Sequence, residues 1–60
     1  MNKKEVRKEA MYLIEANIEN WDFDVARGVA NLAHGIGAIT DKQYEDACAR
    51  IEEARNSYHL

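Results

Sequence analysis

The sequence predicts an all-α fold, a small three-helix bundle in an up-down-up arrangement. Three observations carry that reading. No proline interrupts the 60 residues, the three glycines (Gly28, Gly35, Gly37) fall within ten positions of one another, and apolar residues recur at three- and four-residue spacing on both sides of them. The spacing predicts helices over about residues 3–19, 22–34 and 41–57, with connections short enough to make neighbours antiparallel. No repeat, low-complexity tract or second domain is visible, so residues 1–60 read as a single helical domain.

The first helix opens at Asn2, whose side chain can cap while Glu5 reaches back, a variant of the capping box. Val6, Ala10, Leu13, Ile14, Asn17, Ile18 and Trp21 share one broad face at 100° per residue. Asn17 is the one amide on that face, expected to be satisfied by nearby backbone, with a register-fixing contact as the alternative.

For the second helix, Asp22 is the expected cap and Gly35 the expected left-handed residue after His34. Val25, Val29, Leu32 and Ile36 form its predicted core stripe, flanked by Ala26 and Ala33, with Arg27, Asn31 and His34 opposite. Gly28 costs about 1 kcal/mol in mid-helix relative to alanine, and with Gly35 it edges the stripe where another backbone could come close.

The third helix carries the clearest start signal in the chain. Thr40 is placed to cap, Gln43 completes the box, and Ile39 faces Tyr44 as a hydrophobic staple. Tyr44, Ala47, Cys48, Ile51, Ala54 and Tyr58 make the predicted inner face, and Asp46 with Arg50 an outward pair.

Size limits what such a bundle can do alone. A 60-residue domain buries only about 60% of the surface its unfolded chain exposes, and nine of the apolar residues here are alanine. The core is thin, which favours completion by a protein partner or by a homo-oligomer.

Composition excludes several classes. One cysteine closes no internal disulfide, and neither a CxxC pair nor a Cys/His cluster offers a zinc site. No apolar run approaches the ~20 residues that cross a bilayer, and the start Met1, Asn2, Lys3, Lys4, Glu5 is unlike a signal peptide. The expectation is a complete, soluble, cytoplasmic product that needs no membrane, metal or cofactor. A net charge of −3 opposes sequence-independent nucleic-acid binding, which depends on cations displacing counterions.

From Val29 to about Ala54, a helix followed by Gly37, Ile39, Thr40, the aromatic Tyr44 and the aliphatic Ile51 resembles the short helical hairpin called the SHOCT domain. Gln43 stands where that pattern usually has an acid, and Cys48 where it usually has a basic residue. The resemblance covers under half the chain and implies a helical element for interaction or oligomerisation.

Other constellations are weaker. Asn20, Asp22 and Asp24 alternate like the first ligands of a calcium loop, but Val25 stands where the loop needs glycine and Asn31 where it needs glutamate. Cys48 on an inner face is expected to be a buried structural thiol. Neither His34 nor His59 has metal-ligand spacing to a partner, and a Cys48–His34 catalytic pair would lack a third group and an enclosing pocket. The chain is therefore not expected to be an enzyme.

Helix 1 carries its charges against its own dipole. Lys3, Lys4, Arg7 and Lys8 crowd the positive end, and Glu15 and Glu19 the negative end, at about 0.3 to 1 kcal/mol each where exposed. With Asp22 and Asp24 the acids form a corner that could steer a protein partner, the basic residues being a secondary patch; contacts to neighbouring helices are the simpler reading. The leading expectation is a protein-protein interaction module, self-associating or partner-completed. One alternative is a small regulator or inhibitor of the phage or mobile-element kind, blocking a basic site on a host enzyme with Glu15, Glu19, Asp22 and Asp24. Another is a helix-turn-helix binder of nucleic acid, opposed by Asp41, Glu45 and Asp46 at the start of its recognition helix.

Overall fold

The computed structural model describes residues 2–58, which form three α-helices: α1 (Lys3–Glu19), α2 (Phe23–Gly35) and α3 (Asp41–Tyr58). The all-α, up-down-up expectation holds. α2 is the central element, packed against α1 on one flank and α3 on the other, while α1 and α3 barely meet. His59, weighed above as a metal ligand, lies outside the described residues.

The helix starts follow from local chemistry. The amide of Glu5 donates to Asn2 Oδ1 at 2.9 Å, so Asn2 caps α1. At α3 the box is complete: the amide of Gln43 donates to Thr40 Oγ1 at 3.1 Å, and the amide of Thr40 donates to Gln43 Oε1 at 2.8 Å. Buried Ile39 packs in a cluster with Tyr44, which is the staple. Asp22 departs from expectation, because its side chain makes no capping hydrogen bond at the start of α2. Its backbone is committed instead, the Asp22 amide donating to the Asn17 carbonyl at 2.8 Å.

The same bond defines how α1 ends. The amides of Trp21 and Asp22 donate to the carbonyls of Ile18 and Asn17, and Trp21 takes the left-handed conformation at φ 60°, a Schellman motif. α2 ends in the same way, with the amides of Gly37 and Ala38 donating to His34 and Ala33. The left-handed residue there is Gly37, at φ 75°, and not Gly35, which closes the helix itself. Ala38 and Ala33 are both buried in one cluster, so the helix continues until its apolar closing contact can form.

The core is built mainly from alanine. Buried apolar residues are Ala10, Ile14, Ala26, Ala30, Ala33, Ala38, Ile39, Ala47 and Ile51, with Val6, Met11, Ile18, Val29 and Tyr44 packed around them. α2 is rotated relative to the sequence expectation. Ala26, Ala30 and Ala33, spaced at i, i+4 and i+7, make its buried stripe, whereas Val25, Leu32 and Ile36 are 45%, 68% and 55% exposed. A central helix must admit two neighbours, and alanines let both approach closely. The Arg27, Asn31 and His34 side also differs from expectation: it reaches partners at α3, with Asn31 exposed and Arg27 and His34 half-buried. Arg27 pairs with Glu52 at 3.0 Å, Tyr44 donates to Asn31 Oδ1 at 2.6 Å, and His34 Nε2 lies 2.7 Å from Asp41 Oδ1.

Smaller corrections follow from the same rotation. Leu13 and Trp21 lie on the predicted inner face of α1 but are 38% and 67% exposed, and Tyr58 at the end of α3 is 51% exposed. The Asp46–Arg50 pair does not form. Asp46 is instead 3.7 Å from Lys42, and Arg50 reaches across to Glu15, because an inter-helix partner of opposite charge lies within reach.

Candidate interaction surface

The charged ends of α1 are explained in part by its neighbours. Antiparallel packing sets the start of α1 beside the end of α2, where carbonyls are exposed and negative. Arg7 Nε donates to the Ala38 carbonyl at 2.7 Å, and Lys3 Nζ lies over Gly37. Lys4 and Lys8 remain exposed. A charge unfavourable to its own helix is thus favourable to the next one.

The acidic corner is partly neutralised in the same manner. Glu15 pairs with Arg50, and Asp24 lies 3.9 Å from Arg55, both cations coming from α3. Glu19 and Asp22 stay exposed, with no ion pair between described residues. Two of the four acids, Glu15 and Asp24, thus have a cation of α3 within reach. At this corner Trp21 stacks on Tyr58 with ring centroids 4.9 Å apart and planes 21° apart, and Phe23 lies 6.1 Å from Tyr58. The aromatics hold the end of α3 against the first turn from the outside and do not close the core. Asn17 behaves as its simpler reading requires, donating Nδ2 to the Leu13 carbonyl at 2.8 Å.

The residues weighed for chemistry have structural employment. His34 is held by Asp41 and stacked on Tyr44 at 4.4 Å. Cys48 is half-buried and not enclosed. The Cys48 side chain beside Tyr44 pushes the phenol up from its ordinary value near 10, with Arg27 pulling the other way. Tyr44 is accordingly a donor to Asn31 at neutral pH and no base. Among the described residues no three His, Cys, Asp or Glu side chains gather as a metal site. Among the same residues no helix is long and apolar enough to cross a membrane.

The unusual surface is the outer side of α2. Val6, Ala10 and Leu13 of α1 and Val29, Leu32, Ala33 and Ile36 of α2 line an apolar groove of about 200 Å³, with Glu9 its one charged wall. Val25, Gly28 and Gly35 continue the apolar ridge by helical register. Both leucines in the described residues are exposed while alanines fill the core. Leaving Leu32 and Ile36 more than half exposed forgoes roughly 1 to 2 kcal/mol each. A side chain at Gly28 or Gly35 would meet nothing within 4 Å, so no contact within the described chain requires either glycine. The sequence held one signal of this arrangement, a second stripe at Ala26, Ala30 and Ala33. Ranking by side-chain size conceals it.

Comparison with known proteins adds no relative. No family model matches the chain, and no curated protein or solved structure shows a significant match.

Proposed function

We propose that this chain is a non-enzymatic helical interaction module whose working surface is the outer side of α2 with the adjoining groove of α1. The observation that supports it is the inverted chemistry of α2: small residues turned inward, Val25, Leu32 and Ile36 turned to solvent. A surface helix normally presents polar residues outward, and exposed apolar patches of this kind mark contact sites. The SHOCT-like stretch from Val29 to Ala54 belongs to the same proposal, since that family's expected role is interaction or oligomerisation. So does a cytoplasmic setting, which suits a lone free thiol at Cys48. The inhibitor alternative, acting through the acidic corner, draws less support because Arg50 already pairs with Glu15 and Arg55 lies near Asp24.

A photoreactive residue placed at Leu32 or Leu13 in cells expressing the chain tests the reading. Discrete higher-mass adducts are expected from these positions and not from Glu53 on the exposed side of α3. Equal or absent labelling at all three positions refutes it.

A further inference from the structure

We propose that the corner where α1 passes into α2 binds an arginine side chain of a partner protein, stacked on the exposed rings and paired with Asp22. The site shares no lining residue with the groove of α1 and α2 and goes beyond the interaction reading above.

The chemistry of the walls supplies the first argument. A cavity of about 420 Å³, open to solvent, is lined by Trp21, Asp22, Phe23, Asp24, Arg55 and Tyr58. Three aromatic rings and two carboxylates in one cavity suit a group that is planar, cationic and carried on an apolar stem, because a guanidinium stacks on a ring face while its N–H fork donates to carboxylate oxygens. An anion would be repelled there. A purely apolar ligand would cover carboxylates and give them no partner. An open mouth suits a side chain that reaches in from another protein and keeps its backbone outside.

Asp22 supplies the second argument. It stands at the position of a cap but makes no capping hydrogen bond, and it forms no ion pair with a described residue. Its carboxylate is therefore available to a ligand. The Asp24 carboxylate is wholly exposed and 3.9 Å from Arg55, beyond hydrogen-bond length, and Arg55 is shared with Glu52 at 3.8 Å. Arg55 already sets one guanidinium beside the cavity. Against that single cation stand Asp22, Asp24 and exposed Glu19, so the corner keeps the sign that attracts a second one.

Trp21 supplies the third. It is 67% exposed and holds φ 60°, a conformation glycine adopts with less strain. Its stack on Tyr58 covers one face of the indole, and the exposure that remains is what a stacked cation would use.

Trp21 is the one tryptophan of the chain, and its fluorescence reads the site directly. Titration of the full chain with the end-blocked peptide Gly-Gly-Arg-Gly-Gly is expected to change that signal saturably, with a dissociation constant on the order of 1 to 10 mM for a single exposed anchor. The same peptide with lysine should bind about threefold more weakly or worse, and with glutamate not at all. D22N should weaken arginine binding about threefold or more with helicity unchanged, since no cap is lost. E45Q removes the same charge from exposed Glu45, about 15 Å along α3 from Arg55, and should change binding less than about twofold. Absence of a saturable response to the arginine peptide overturns the inference. Equal binding of the arginine and lysine peptides overturns it, as does a loss in D22N no greater than in E45Q, because either result marks diffuse attraction to a negative chain.

Discussion

Helices α1 and α2 end in the same pair of hydrogen bonds around a left-handed residue, but opposite side chains build the two corners. At the second corner the left-handed position is Gly37, which adopts φ 75° without steric cost, and the following residue Ala38 buries itself against Ala33. At the first corner the left-handed position is Trp21, the following residue is Asp22, and the pair that should close the motif is Asp22 with the polar Asn17. A bulky residue at positive φ costs about 1 to 2 kcal/mol. Stacking of Trp21 on Tyr58 offsets part of that cost. Equal backbone geometry thus conceals unequal support: one corner is sealed from within by core residues, the other is clamped from outside by exposed rings.

Five substitutions sharpen or break this contrast, each read by urea denaturation. Ile39→Ala should be the most damaging, at about 2 to 4 kcal/mol, because Ile39 is 3% exposed in the cluster that seals the second corner. Gly37→Ala should cost about 1 kcal/mol through backbone strain alone, since the added methyl meets Lys3 Nζ at an ordinary 3.6 Å. Thr40→Ala should cost about 1 kcal/mol by removing a formed cap, whereas Asp22→Ala, which removes none, should stay within about 0.5 kcal/mol. Trp21→Gly should likewise stay within about 0.5 kcal/mol, as relief at the backbone offsets the lost stacking and the greater chain entropy of glycine. A large loss at Trp21, equal to that at Ile39, would erase the distinction between the two corners.

The two corners also differ in how well the sequence announced them. Thr40, Gln43, Ile39 and Tyr44 were legible because a capping box and staple act over five residues, and their partners are fixed by spacing along one chain segment. Asp22 has the residue type of a cap, but the ending of α1 claimed its backbone first, and no local rule ranks those demands. Gly35 and Gly37 are equally able to turn left-handed, and the choice fell to the one whose successor, Ala38, could reach Ala33. The candidate surface was the least legible feature. Val25, Leu32 and Ile36 have the spacing of a core stripe, and in a two-helix hairpin they would form one. Glu15 and Arg7 were readable as charges but not as pairs, since Arg50 and the Ala38 carbonyl lie far along the chain.

From its sequence this protein drew the number of helices, their limits to within a residue or so, and their alternating direction. Each of these follows from near-neighbour preferences, proline absence and short connections. Which side of α2 faces inward was settled only by tertiary packing. Two apolar stripes compete on that helix, and a central position between two neighbours selects the one with the smaller side chains, because close approach of three backbones gains more contact than burying two or three larger residues at greater separation. The larger residues are left at the surface for that reason.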